Sequence, residues 1–298
     1  MQSICSKRTN WPGETKLIFR LSMKDNDKGH CIFYTEFIKH RLDCLENFDT
    51  EKSDNMKENA CSLEEQVGRW EDQRDIKNLM GIYVNYIIMN MDAEIYNALW
   101  SARDDVCCGG NEGWYVGPEA VRGYYDAVHA RNALVAELLQ KKFPQEIGQR
   151  TAEENFGIGT FRDFPVACPV IEIARDGHTA KGLWYCWGSQ AQVLSCGPTS
   201  SWTWGYYAAD FVRENGSWRI WHLQITNDVD ARCGTDWGRP EEKLPDLPEF
   251  MALRDFSMPA YSVAQVNRAK YSARRPLTGS PRIPEPYDTF ADTFSYGV

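Results

Sequence analysis

The chain has 298 residues, of which 43% are hydrophobic and 13% aromatic, with a formal net charge of -9 and a pI near 5.2. That acidity argues against nucleic acid or an anionic membrane surface as partner, since either requires a basic footprint. Ten scattered cysteines with no CxxC pair read as reduced thiols in a cytoplasmic protein, and no apolar run is long enough to span a bilayer.

Composition is uneven enough to give one folded domain with two extensions. Residues 1–55 have mixed charge and weak periodicity, and read as a leader, either disordered or upstream of a natural start at Met56. Ser62-Leu63-Glu64-Glu65 is a capping-box signature that opens a helix carrying Val67 and Trp70. The stretch Asp72 to Trp100 then organises the fold. Ile76, Leu79, Met80, Tyr83 and Ile87 recur at three- and four-residue steps, so they share one helix face. Tyr86, Asn90 and Asp92 lie on or near that face as its polar end. Asp92 precedes a second periodic run, Ile95, Tyr96, Leu99 and Trp100, so it is either the N-cap of a second helix or a reactive group on a pocket floor.

Val106-Cys107-Cys108 and Trp114-Tyr115-Val116 flank a Gly109-Gly110-Asn111 turn, a hairpin signal. Gly117-Pro118-Glu119 starts a third helix with Val121, Tyr124, Tyr125 and Val128 on one side. Residues 130–160, with a helical fragment from Ala133 to Lys142, read as an insertion or lid.

From Pro169 the period becomes β-type. Strands are expected at Val170 to Ala174, Thr179 to Leu194, Trp202 to Val212 and Trp218 to Thr226, with a loop from Cys196 to Ser201. The Asn215-Gly216-Ser217 sequon reads as a hairpin turn. Helices followed by long antiparallel strands predict an α+β domain over residues 62–230, a curved sheet wrapped over helices around a conical pocket. Residues 238–298 form a proline-rich extension holding eight of the fourteen prolines. Its aromatic residues Tyr261, Tyr271, Tyr287, Phe290, Phe294 and Tyr296 suit packing on a partner subunit or over the pocket, and a disordered tail is an equal alternative.

The order of parts resembles the SnoaL-like branch of the nuclear transport factor 2-like superfamily. The resemblance runs from about Leu63 to Asn227. It rests on Asp75-Ile76-x-x-Leu79 with Tyr86 and Asp92, on Gly117-Pro118-Glu119-Ala120-Val121, on Pro169 to Ile173 with Thr179 to Trp184, and on Gly216-Ser217-Trp218-Arg219-Ile220. It implies a cone-shaped fold that hosts many chemistries. The helix end looks like that of bile-acid 7α-dehydratase, which implies active-site roles for Tyr86 and Asp92, with one extra residue between them here. The dehydratase's histidine is absent where this chain reads Phe161-Arg162-Asp163, and its later Asp and Arg, falling near Gly188 and Asn227, are missing. The chain length, Trp221-His222 and the proline-rich tail are similar to SnoaL-like lyases that release formaldehyde from lignin-derived diaryl propanes.

The expected activity is a cofactor-independent lyase or dehydratase on a hydroxylated aromatic or polycyclic compound. Elimination needs a base, an acid and a dry pocket. Asp92 is the expected base, with Tyr86 and Tyr83 as hydrogen-bond donors. Among the five histidines His222 is the acid/base choice by elimination, although strand alternation turns it away if Trp221, Leu223, Ile225 and Asn227 face the pocket. Asn90, Tyr96, Trp100, Arg162, Trp184, Trp204, Trp221 and Asn227 complete the expected lining. No cofactor and no metal is expected, since no histidine has ligand spacing. An aromatic outer sheet face suggests a homo-oligomer. A ketosteroid-type isomerase or cyclase, or a non-catalytic small-molecule binding or assembly module, is the alternative.

Overall fold

The computed structural model describes residues 62–148, 150–237, 243–265, 270–274 and 281–298. The leader expected over residues 1–55, with His30, His40 and the Met56 start, lies outside the described residues.

Helix α1, Leu63–Ile88, is continuous: the capping-box run and the organising run are one element. Only its second half is amphipathic. Ile76, Met80 and Tyr83 are buried, whereas Leu63, Val67 and Trp70 are exposed. The helix ends at Asn90, whose φ of 58° places it in the left-handed region that asparagine tolerates better than most residues. Helix α2, Asp92–Leu99, follows at once. Its N-cap is Met91, which makes no side-chain cap, so Asp92 is the first helical residue and the capping role expected for it is not found.

Strands β1, Cys107–Gly110, and β2, Gly113–Val116, form the hairpin, with the turn moved to Asn111 and Glu112 because Gly109 and Gly110 lie within the ladder. Helix α3, Pro118–Lys142, has Gly117 as N-cap and proline in its first turn. It runs straight through the fragment expected as a separate part of a lid, and buries Val121, Tyr125, Asn132, Val135 and Ala136 along one stripe. A short turn of helix, α4, Pro144–Ile147, ends it.

The remaining strands are β3 (Phe161–Asp163), β4 (Val166–Ile173), β5 (Thr179–Leu194), β6 (Gly197–Glu214) and β7 (Ser217–Arg232). The run expected as a loop from Cys196 to Ser201 is mostly strand, pairing as far as Leu194 with Gly197. β6 and β7 meet through Asn215 (φ 51°) and Gly216 (φ 80°), the double positive φ of a tight hairpin turn. The sheet order is β3-β5-β6-β7-β1-β2-β8, with β4 also on β5; β1 and β7 are parallel and the other pairs antiparallel. β8 is Val263–Ala264 from the C-terminal extension.

Alternation separates two faces. Trp184 and Cys186, Tyr207, Ala209 and Phe211, then Ile220 and Leu223 turn inward and pack on α1 and α3 as the main core. Truncating a fully buried member such as Ile76 or Met80 costs about 2–5 kcal/mol. Lys181, Leu183, Ala208, Asp210 and His222 turn outward. Two bulges in β7 set the phase: register shifts where β6 passes Trp204 and again where it passes Asp210. The C-terminal segment lies on the outer face, where Tyr287 and Tyr296 are buried, so that part folds onto its own chain. Among the described residues no helix is long and apolar enough to cross a membrane.

Candidate functional site

Asp92 is 2% exposed at the start of α2. Arg162, the middle residue of the short edge strand β3, reaches it with Nη1 2.9 Å from Oδ1 and Nη2 2.6 Å from Oδ2. The same Nη2 donates to Asn90 Oδ1 at 2.7 Å. Two geometric features hold this group. The left-handed turn at Asn90 swings its amide toward β3, and Gly157, at φ 81°, lies so close that a Cβ there would meet the Asn90 amide nitrogen at 2.7 Å. Asn132 of α3 continues the chain, donating to Asn90 at 3.4 Å and accepting from Thr160 at 3.4 Å. Arg162 Nε is buried without an acceptor.

A layer of phenols adjoins the pair. Tyr125 donates to Tyr83 at 3.3 Å, and Tyr83 meets Tyr207 edge-on at 6.2 Å. Tyr124 contacts Tyr125 edge-on at 5.0 Å and feels the charges of both Asp92 and Arg162. Burial raises the pKa of Tyr83, Tyr124, Tyr125 and Tyr207, each assisted by neighbouring acidic groups. At neutral pH these hydroxyls are therefore donors. Cys108 lies among them, pushed up to about 12 by burial and the nearby Cys107.

Beside this layer is a chamber of about 240 Å³ whose walls include Cys108, Tyr115, Tyr124, Ile225, Asn227 and Tyr261. Tyr115 stacks on Tyr124 at 5.1 Å and meets Tyr261 of the extension at 4.9 Å. Burial and the facing Tyr261 push Tyr115 up to about 12. Asn111 fixes the floor through its bonds to the Asn227 backbone, 2.9 Å from N and 2.6 Å from O.

Of the residues named from sequence, Asp92, Asn90 and Arg162 come together, Tyr83 belongs to the phenol layer, and Asn227 lines the chamber. Tyr86 is partly buried against the core, its carbonyl accepting from Met91. Tyr96 and Trp100 stack on each other and line a separate surface depression with Arg122 and Arg219. Trp184 packs edge-on against Phe211 in the core. Trp204 is on the outer face against Trp237. Trp221, at the β7 bulge, stacks on His222 and Phe290 and donates to Asp105.

His222 does not join Asp92. It faces outward, its Nδ1 2.8 Å from Asp210, whose other oxygen takes Lys181 Nζ at 2.6 Å. The C-terminal segment seals the cluster: Ser295 Oγ and the Tyr296 N–H donate to the same Asp210 oxygen, and the Phe290 and Phe294 rings lie 4.6 Å from Lys181 Nζ. Ser295 and Asp210 share the Nδ1 side of His222, so this is no nucleophile–base–carboxylate relay, in which the two partners occupy opposite ring nitrogens.

Asn132, Thr160, Tyr124, Tyr207 and Cys108 were not singled out as site residues from sequence. Asn132 carried a signal: it falls seven residues after Tyr125, a polar residue within the apolar stripe of α3. Among the described residues no group of three His, Cys, Asp or Glu side chains could hold a metal ion.

A family model described as a SnoaL-like domain matches residues 68–224. The chain belongs to the SnoaL-like family. Its fold is the α+β cone of the nuclear transport factor 2-like superfamily. Comparison with curated proteins finds no match. Similar solved structures include a protein provisionally assigned as a scytalone dehydratase from Novosphingobium aromaticivorans (14% identity, 59% of this chain and 99% of that one, TM-score 0.40). A hexachlorocyclohexane dehydrochlorinase, LinA type 3, from Novosphingobium barchaimii is 13% identical over 59% of this chain and 99% of that one, with a TM-score of 0.38. A protein of unknown function from Mycobacterium tuberculosis is 18% identical over 55% and 75% of the two chains, TM-score 0.37.

Proposed function

We propose that this SnoaL-like domain is a cofactor-independent lyase or dehydratase for a hydroxylated aromatic or polycyclic small molecule. The observation that carries the reading is a buried carboxylate, Asp92, fixed by Arg162 and Asn90 beside donor phenols. A ligand oxygen entering the group meets the unfilled Nε–H of Arg162, which loosens the hold on Asp92 and leaves a carboxylate lone pair to accept a proton from carbon. The phenols of Tyr124 and Tyr207 hydrogen-bond the oxygen that gains charge or departs. Where the proton comes from carbon, the C–O bond on the neighbouring carbon breaks and water leaves with a proton donated by a phenol, which Asp92 then restores. Where Asp92 takes the proton of a hydroxymethyl O–H instead, the C–C bond breaks, formaldehyde leaves and the proton returns to the carbon left behind.

A non-catalytic binding module is the second reading, favoured because both Asp92 oxygens are already occupied by Arg162. The test is a mass-spectrometric turnover screen of hydroxylated steroids, diaryl diols and polyketide-like phenols. Loss of water or formaldehyde supports the lyase. Retention of a compound without conversion supports the binder.

Trp187, Trp202 and Trp237 are exposed on the outer face beside the part sealed by the C-terminal segment. They support association with a second copy, to be read by sedimentation velocity.

A further inference from the structure

A second chamber, of about 460 Å³, lies between the C-terminal half of α3, the turn α4, the run leading into β3 and the hairpin end of β5 and β6. Leu139, Phe143, Ile147, Ile158, Phe161 and Val193 supply most of its wall. Phe161 is 56% exposed and Leu139, Phe143, Ile147 and Ile158 are half-buried, so these side chains retain accessible apolar surface. The extension covers their neighbours but not the chamber. Its turn Pro248–Leu253 buries Phe250 and Leu253 in a cluster with Val135, Leu138 and Val193, the Phe250 ring 6.0 Å from Phe143, and no described residue of the extension lines the space. The volume is that of a small-molecule pocket, for which about 300–1,000 Å³ is usual.

One hydroxyl ties this space to the Asp92 pair. Thr160, on the chamber wall, donates to Asn132 Oδ1 at 3.4 Å. Asn132 donates in turn to Asn90 Oδ1 at 3.4 Å, and that oxygen also takes Arg162 Nη2 at 2.7 Å. A hydroxyl that donates still has lone pairs, and no described residue donates to those of Thr160. The open position calls for a donor: a ligand O–H fits it and a carboxylate does not. The one ionisable group among the described lining residues, Glu146, is itself an acid and repels another.

We propose that this chamber seats the apolar body of a neutral, hydroxylated ligand, one of whose O–H groups donates to Thr160. The assignment rests on the small-molecule reading above and adds the seat, the charge class and an anchoring residue. An O–H bound at Thr160 lengthens the chain that runs through Asn132 to Asn90, and successive hydrogen bonds polarise one another. The occupant is thereby coupled to the amide that shares Arg162 with Asp92.

The probes share one ring system: 2-naphthalenemethanol, 2-naphthoate and 2-methylnaphthalene, each measured by equilibrium dialysis against the full chain. The alcohol is expected to bind about tenfold tighter than the acid and about fivefold tighter than the hydrocarbon, the latter being the worth of one neutral hydrogen bond. Thr160→Val should erase the difference between alcohol and hydrocarbon while leaving the hydrocarbon's affinity unchanged. Ile147→Trp, which fills the chamber from a half-buried position, should weaken alcohol and hydrocarbon alike by about tenfold. Phe161→Ala, at an exposed position where the fold is not at risk, should weaken both by about threefold.

Binding of none of the probes, an acid bound as tightly as the alcohol, or affinities that survive both Ile147→Trp and Phe161→Ala would overturn the proposal. So would a change of sedimentation coefficient in those variants with probe affinity unaltered, which would assign the chamber to a second copy of the chain. Asp92-dependent turnover whose KM ignores Ile147→Trp would sink the seat alone. The expected binding pattern without turnover of any compound would sink the lyase alone.

Discussion

Arg162 and Asp92, seventy residues apart in the chain, meet as a two-point ion pair at 2.9 and 2.6 Å inside the cone. The pair ties the edge strand β3 to the start of α2, so it serves the fold as well as any chemistry. Removing one member leaves the other charge in a nearly dry site. Arg162→Leu should therefore lower stability by about 3–5 kcal/mol, and the double replacement Arg162→Leu with Asp92→Leu should cost less than the sum of the single changes. Urea unfolding of the four proteins measures both effects; additive losses would show that the two groups act independently.

Lys181, Asp210 and His222 form a second buried charge cluster on the opposite face of the sheet. Lys181→Met strands the Asp210 carboxylate and is expected to cost about 3–5 kcal/mol. His222→Gln should lower the melting temperature and leave kcat on any substrate unchanged, because the imidazole lies across the sheet from Asp92. A kcat loss with unaltered stability would bring His222 back into the reaction.

Burial pushes the thiols of Cys107, Cys108 and Cys186 from the ordinary 9.0 up to about 12. Between those values the unfolded chain gives up thiol protons that the folded chain retains, so the unfolded state is favoured progressively as pH rises. The contribution is complete below pH 9.0 and disappears toward about 12, each thiol weakening the fold by about 1.4 kcal/mol per pH unit within that window. Melting temperatures from pH 8 upward should fall accordingly, to a smaller extent in Cys186→Ser once its own packing loss is subtracted. Iodoacetamide at pH 8 should label exposed Cys168 and spare Cys108.

Much of the frame was legible in sequence because local chemistry and tertiary packing agree there. The β5 span and the Asn215-Gly216 turn follow from alternation and from the positive φ that a tight hairpin requires. The start of β6 was not, since Gly197-Pro198-Thr199 has a loop composition and only pairing with β5 makes it strand. Alternation alone turned His222 outward, and the structure agrees; it mistook Trp221, because a bulge inserts one residue at that point and no sequence period reveals a bulge. The pairing of Asp92 with Arg162 was beyond local reading for another reason: each residue was visible on its own, but their contact depends on a turn at Asn90 and a glycine at 157 that only the assembled fold brings together.

The central claim is that Asp92 takes a proton during turnover. Its most direct test is the single-turnover rate of Asp92→Asn on a substrate found in the screen, with far-ultraviolet circular dichroism used to verify the fold. The account predicts that the chemical step slows by about a hundredfold or more while binding of the substrate persists. A folded Asp92→Asn protein that converts substrate at the wild-type rate would contradict it.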